Sequence, residues 1–390
     1  ELYGRDKIGL LTGDNAVNSD APIVVMTTEV LRNMIYARSR ALDDLAVVVL
    51  DEVHFIQDTY RGPVWEEVII HLPRQVKLVC LSATVSNANE VADWISTVRG
   101  PTKYVVEEKR PVELENLYMV GDKTAPREHL FPTLVSGRPN PEAARLEDQT
   151  RKIGGRGPVK GRPRRALYTP SRLEVVDRLN EEGLLPSIFF IFSRNGCNEA
   201  AQSCLKQGLR LTSPDERKRI KEIIDSRLDD IDDDDLDVLG YPQFVAQLEA
   251  GIAAHHAGMV PPFKETVEAC FVEGLVKIVF ATETLAVGIN MPARSVVIEK
   301  LSKFTGEHHE FLTAGEFTQL TGRAGRRGLD DKGHAVVLWN PFVTFEQVAG
   351  LASSRTFRLT SSFRPTYNMA VNLVRSYSSE EARHLLNLSF

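Results

Sequence analysis

Asp51 and Glu52 close an apolar run, LAVVVLDEVHFI over 45–56, and His54 follows two positions later. A β-branched run that stops at two acids suits a fully buried parallel strand delivering charge to the carboxyl edge of a sheet. Open α/β sheets bind ligands at that edge. Paired carboxylates there suit phosphate chemistry. One of them can hold Mg²⁺ through water, since magnesium keeps much of its hydration shell, and the other can orient or deprotonate the attacking water. A strand leaving into solvent through two acids would look the same, so the pair gains meaning only from its neighbours.

Three further stretches supply those neighbours. Ser82-Ala83-Thr84 ends a second apolar run and offers two hydroxyls beside the acid-bearing strand. In QLTGRAGRRG, 319–328, Arg323 and Arg326 are spaced for one helical face, between glycines that allow close backbone approach. Arginine forks grip phosphate oxygens and can stabilise charge on a transferring phosphoryl group. In ATETLAVGINMP, 281–292, a buried strand ends at Thr282-Glu283, and Gly288 and Asn290 mark a turn that can present amides to a backbone phosphate.

The elements around these residues alternate. Over 1–107, strands at Ile23–Met26, 45–50 and 76–81 interleave with helices at Thr28–Tyr36, from Gly62, and at 87–98. In the second helix Trp65, Val68, Ile69 and Leu72 recur at helical spacing. Residues 108–186 read as a bridge, within which 151–173 is rich in Lys, Arg, Gly and Pro, lacks acids, and reads as a surface loop able to touch an RNA backbone. From 187 to 345 the alternation resumes, with strands at 187–192, 276–281, 295–299 and 334–338. The aspartate-rich run 225–237 reads as an exposed turn or helix end. Alternation of this kind gives parallel sheets covered on both faces. A net charge of −6 gives no global positive field, so any nucleic-acid partner must be held by local patches. Cys80, Cys197, Cys204 and Cys270 stand far apart, which suits a reducing, cytoplasmic setting. No apolar stretch approaches the roughly 20 residues of a membrane helix.

DEVH at 51–54, SAT at 82–84, TETLAVGINMP at 282–292 and QLTGRAGRRG at 319–328 resemble motifs II, III, V and VI of superfamily-two helicases. LLTGD at 10–14, VMTTEVLRNM at 25–34, RGPVWEEVIIHLP at 61–73, AAHHAGMVP at 253–261 and SSFRPTYNMAVNLV at 361–374 are similar to the Ski-like DExH-box RNA helicases, and within them the actinobacterial HelY type. The resemblance implies an α/β chain with two RecA-like parallel-sheet domains, the first incomplete. Residues 1–107 would be the end of the first domain and 108–345 the second, with a basic insertion near 137–173. Residues 346–390 would lead towards a winged-helix or helical domain.

The roles it implies follow the matching positions. ATP and Mg²⁺ would meet Asp51, Glu52, His54, Gly288, Asn290, Gln319, Arg323 and Arg326, with Asp51 on the metal, Glu52 as general base and the last three reaching from the second domain. Ser82 and Thr84, with His54, would couple ATP state to domain closure. Nucleic acid would be tracked by Gly13, Asp14, Thr28, Glu29 and Arg32 in the first domain, and by Ser193, Arg194, His256, Gly258, Thr282 and Glu283 in the second. A strand-separating hairpin is expected at 304–311. The partner would be single-stranded or tailed duplex RNA, with DNA as the alternative, and RNA-degradation partners come with the resemblance. No GxxxxGK[ST] phosphate loop occurs in the 390 residues. The chain is therefore expected to be the middle of a larger helicase, inactive alone. A non-hydrolysing nucleic-acid scaffold is the reading of a different class.

Overall fold

The apolar run before Asp51 forms the strand Val47–Leu50, paired in parallel with Lys77–Cys80. It lies in the first of two units into which the chain divides: Glu1–Glu108 with Thr356–Phe390, and Lys109–Arg355. The computed structural model describes residues 3–13, 15–107, 109–154, 167–229, 231–286, 291–304, 308–354 and 356–390.

In the first unit, Ile8–Leu11 and Ile23–Met26 form a second parallel pair, with Ala16–Val17 antiparallel on its edge. Helix Gly62–His71 packs against Val48 and Leu50 through Val64, Trp65, Val68 and Ile69. Burying each such aliphatic side chain contributes about 1.5–3 kcal/mol. Pro63 suits the first turn of this helix, where its missing N–H costs nothing. Gly62 is required by close approach, since a Cβ there would lie 2.3 Å from the Ile56 carbonyl oxygen. The strand is not buried on both faces as its composition suggests. Val47 and Val49 are 49% and 59% exposed, and Val79 on the partner strand is 44% exposed. Only the face bearing Val48 and Leu50 is covered by the described residues.

The second unit is built on an eight-stranded sheet in the order Leu167–Tyr168, Glu113–Asp122, Lys332–Leu338, Ser295–Ile298, Ser187–Phe190, Ile278–Ala281, Ile252–His255, with His129–Pro132 beside Glu113–Asp122. The central pairings are parallel. Here both faces are covered: Ile188, Phe190, Val296 and Ile298 enter one apolar cluster, while Phe189, Phe280 and Val297 enter the other. These parallel α/β sheets are RecA-like.

Several elements differ from expectation. The bridge contributes Glu113–Asp122, a ten-residue strand whose residues Glu113 to Met119 pair with Lys332–Leu338. Its mixed composition, ELENLYMVGD, hides it, because its first residues stay at the rim while the last six are buried. In the basic stretch, 151–154 end a helix, Leu167–Tyr168 is a strand and Arg172 opens a helix; 155–166 lie outside the described residues. The acidic run spans the end of helix Pro214–Leu228 and a short helix, Asp233–Val238. Residues 346–390 divide. Helix Phe345–Ser353 stays with the second unit, whereas Thr356–Phe390, with helices Tyr367–Ser376 and Ser379–Leu386, groups with the first. Asn87 and Glu66 hold it there: Asn87 exchanges two hydrogen bonds with the Leu359 backbone, and Glu66 accepts from Ser361 Oγ and from the Phe390 N–H. Among the described residues no helix is long and apolar enough to cross a membrane.

Candidate functional site

Asp51 follows directly on the strand, and Glu52 leaves it in the left-handed region at φ 52°. That conformation costs a non-glycine residue about 1–2 kcal/mol. The surroundings hold it in place. The Asp51 carboxylate accepts the Glu52 N–H at 2.9 Å, Trp65 Nε1 donates to the Asp51 carbonyl at 3.1 Å, and Val53 N–H reaches the Leu81 carbonyl at 2.9 Å. Asp51 is exposed and Glu52 half-buried. A single exposed carboxylate with acceptor capacity left suits a cation that keeps most of its waters, so Asp51 fits Mg²⁺.

His54 is 2% exposed, and burial lowers its pKa to about 4, so its ring is neutral. Its Nδ1 accepts the Ala83 N–H at 3.2 Å, which places the proton on Nε2. The 3.4 Å approach of Glu52 Oε2 is therefore not a charged pair. The DEVH turn is tied to the SAT loop through a backbone amide. Ser82 Oγ donates to the Ala83 carbonyl in its own turn. Phe357, from the returning segment, lies edge-on to His54 at 6.1 Å and pairs with Val85 as an isolated bridge. Nothing in its local sequence announces this.

On the expected nucleic-acid side, Gly13 and Thr28 each lie two residues beyond the paired strand ends Leu11 and Met26. The structure brings them to one sheet edge; Asp14 is outside the described residues. Glu29 accepts from Arg61 Nε at 3.0 Å, and Arg61 lies over Trp65 at 5.4 Å. Arg32 donates to Asn33 Oδ1 and stands 4.0 Å from Glu67.

The second unit gathers its residues more tightly. Ser187–Phe190, Ile278–Ala281 and Ile252–His255 are adjacent parallel strands, with Phe190, Ala281 and His255 level across them. Ser193-Arg194, Thr282-Glu283 and His256 to Gly258 therefore emerge along one carboxyl edge. Ser193 Oγ caps the next helix by accepting the Gly196 N–H, leaving Arg194 exposed in its first turn. His256 Nδ1 accepts the Gly258 N–H at 3.1 Å, so Nε2 carries the proton and donates to Asn198 Oδ1 at 3.0 Å. Burial and then Arg194 lower the His256 pKa. Thr282 Oγ1 is 2.9 Å from Thr284 Oγ1, and Glu283 is 3.4 Å from Lys303 Nζ. Lys303 begins its own link from Ser302–Phe304, which pairs antiparallel with His309–Phe311, and also reaches Glu316. Residues 305–307 are outside the described residues, as are Gly288 and Asn290.

The arginines do not share a helical face. Helix Ala314–Thr321, which carries Gln319, ends at Gly322. Gly325 takes φ +92°, where a Cβ would come within 2.6 Å of Val112 Cγ1, and Ala324 instead bridges Ala293. Arg323 turns its Nε and Nη2 to the Ala286 carbonyl, while Arg326 pairs with Asp330. The glycines that suggested close approach also break the helix.

Two family models match this arrangement: the DEAD/DEAH box helicase model over residues 3–91 and the helicase conserved C-terminal domain over 230–328. The chain is 55% identical to the "Probable helicase HelY" of Mycobacterium tuberculosis over its whole length, covering 44% of that protein. The chain belongs to the Ski-like DExH-box helicases. Within them it is also 37% identical to the "DExH-box ATP-dependent RNA helicase DExH15 chloroplastic" of Arabidopsis thaliana, matching 96% of this chain and 34% of that protein. To the human "Exosome RNA helicase MTR4" it is 36% identical, over 96% of this chain and 36% of that protein. The chain thus spans less than half the length of these Ski-like relatives.

Proposed function

We propose that the intact protein is an ATP-driven RNA helicase. The observation that carries this reading is Glu52, held off its strand end in a strained turn beside Asp51 and tied through His54 to Ala83. Strain kept at such a position is a common mark of a working residue. In this reading Asp51 holds a water-bound Mg²⁺ on ATP, and ATP with its metal supplies the phosphoryl group whose transfer to water drives the motor. Glu52 takes the proton of the attacking water. Gln319, Arg323 and Arg326 meet the triphosphate, with Gly288 and Asn290 beside it. The neutral His54 passes the state of the DEVH turn to the SAT loop at Ser82 to Thr84.

Single-stranded RNA runs over Gly13, Asp14, Thr28, Glu29 and Arg32 and over the carboxyl edge bearing Ser193, Arg194, His256, Gly258, Thr282 and Glu283. Such contacts go mainly to phosphates, which alone do not distinguish RNA from DNA. RNA is favoured because the human and Arabidopsis relatives are described as RNA helicases. The hairpin Ser302–Phe304 with His309–Phe311 parts the duplex. A cytoplasmic site and an RNA-degrading partner assembly belong to the same proposal, the latter on the description of the human relative.

The test is ATP hydrolysis by the intact protein alone, with single-stranded RNA and with single-stranded DNA, in the wild type and Glu52→Gln. RNA should stimulate the wild type more than DNA does. Glu52→Gln should bind RNA normally and lose about 10²–10⁴ in turnover, the usual contribution of a positioned general base. Equal stimulation by DNA points to a DNA helicase. No hydrolysis by the wild type points to a scaffold.

A further inference from the structure

Among the groups the proposed function does not use is a buried carboxylate of the second unit, Asp330. The side chain of Asp330 is 1% exposed. Its Oδ2 accepts from the Arg326 backbone N–H at 3.0 Å and from Arg326 Nε at 2.8 Å. Its Oδ1 accepts from Arg326 Nη2 at 2.8 Å and from Arg294 Nε at 2.9 Å. Arg294 is fixed in turn, with Nη1 donating to the Gly183 carbonyl at 2.7 Å and its backbone N–H to the Pro186 carbonyl at 3.0 Å. Asp330 is thus pinned by four donors, and it holds Arg326 fork to fork.

A guanidinium has a side edge, Nε with Nη2, and an end edge, Nη1 with Nη2. Asp330 takes the side edge and leaves the end edge clear of itself. The helix has ended at Gly322 and Gly325 lies at positive φ, so Arg326 opens a turn in which the Leu329 and Asp330 N–H groups reach its own carbonyl at 3.1 and 3.0 Å. That turn brings the Asp330 carboxylate back onto the Arg326 side chain and fixes the direction of its fork. It also offsets the charge of two arginines held on one anion, Arg294 and Arg326.

We propose that Asp330 is a positioning residue for Arg326, clamping its side edge so that the end edge is presented to the transferring phosphoryl group. This rests on the reading of Arg326 as a phosphate-contacting residue. A preset fork loses less rotamer freedom when it engages the phosphate, and geometry realised only at the reacting centre raises kcat rather than affinity.

The experiment uses the intact protein with saturating single-stranded RNA and varied ATP. Wild type, Glu52→Gln, Arg326→Ala, Asp330→Asn, Asp330→Glu and the double variant Arg326→Ala with Asp330→Asn are compared. Asp330→Asn should lower kcat about tenfold or more and change KM for ATP less than threefold. The double variant should be no slower than Arg326→Ala alone, because the aspartate acts only through the arginine. Asp330→Glu keeps the charge that offsets Arg294 and Arg326 but lengthens the reach by one methylene, so it should displace the Arg326 fork and still lose kcat. It answers the question if the asparagine variant melts early.

Unchanged kcat in both Asp330 variants overturns the inference. So do additive losses in the double variant, which mark a purely structural aspartate. A rise in kcat overturns it too, since the carboxylate would then be withholding Arg326. If the wild type turns over no faster than Glu52→Gln, the helicase reading fails and takes this inference with it. If those two differ and Asp330→Asn matches the wild type, the positioning role alone fails.

Discussion

Replacing Asn87 by alanine should loosen the returning segment from the first unit by a calculable amount. Asn87 is 5% exposed, and its Nδ2 donates to the Leu359 carbonyl at 2.9 Å while its Oδ1 accepts the Leu359 N–H at 2.8 Å. Leu359 is 1% exposed, so water does not readily replace the lost amide. The variant leaves one backbone donor and one acceptor buried without partners. Each such group costs about 1–3 kcal/mol, and partial water entry brings the sum to about 2–4 kcal/mol. At about 1.4 kcal/mol per decade, that is roughly 30- to 1,000-fold faster opening of this contact. The assay is amide hydrogen exchange, which reads local opening without requiring a two-state protein. The Leu359 amide and those near Ser86, whose N–H reaches the Phe357 carbonyl at 2.8 Å, should lose protection by that factor. Central amides of the second unit, such as Phe189, should not move. A change at Leu359 below about threefold would refute the reasoning, because it would mean that the side-chain pair does not hold the segment.

Two further perturbations follow. Gly325→Ala forces a side chain into positive φ and against the β-branched Val112, at a cost of about 2–4 kcal/mol, read as an earlier melting transition of the second unit; an unchanged transition removes the argument that this glycine sets the arginine loop. His54 and His71 are both held to a pKa of about 4 by burial. A histidine with a folded pKa below its unfolded value contributes stability above about pH 6.5 and loses it as pH falls towards 4, by about 3 kcal/mol each. His71→Phe, which keeps a ring between Tyr36 and Tyr377, should flatten the stability profile between pH 6.5 and 4; a profile of wild-type slope would contradict it.

Much of the fold was readable where burial is symmetric. Ser187–Phe190 and Ser295–Ile298 are apolar runs buried on both faces, and helix Thr28–Tyr36 has the periodicity of a half-covered helix. Glu113–Asp122 escaped because its leading end alternates charge with apolar residues, and strand pairing rather than composition decides it. The same holds at the site. Acids at a strand end and hydroxyls at a loop can be read from order along the chain. Asp330 beside Arg326, Phe357 beside His54 and the Ala83 amide cannot, because each acts through a partner chosen by tertiary packing. Arg323 and Arg326 depart from expectation for the opposite reason: three-residue spacing has helical meaning only within a helix, and here the helix ends at Gly322.

The division of the first unit into Glu1–Glu108 and Thr356–Phe390 bears on how the protein is made. Glu66 waits for partners 295 and 324 positions further on, and Asn87 for one 272 positions on. At about 5–20 residues per second, the roughly 250 intervening residues take about 12–50 s to synthesise, far longer than a helix or hairpin needs to form. The second unit can therefore finish folding on the ribosome while the first still holds Glu66 and Asn87 without these partners. In that interval the first unit is a substrate for chaperones and proteases, and its yield depends on how soon Thr356–Phe390 follows.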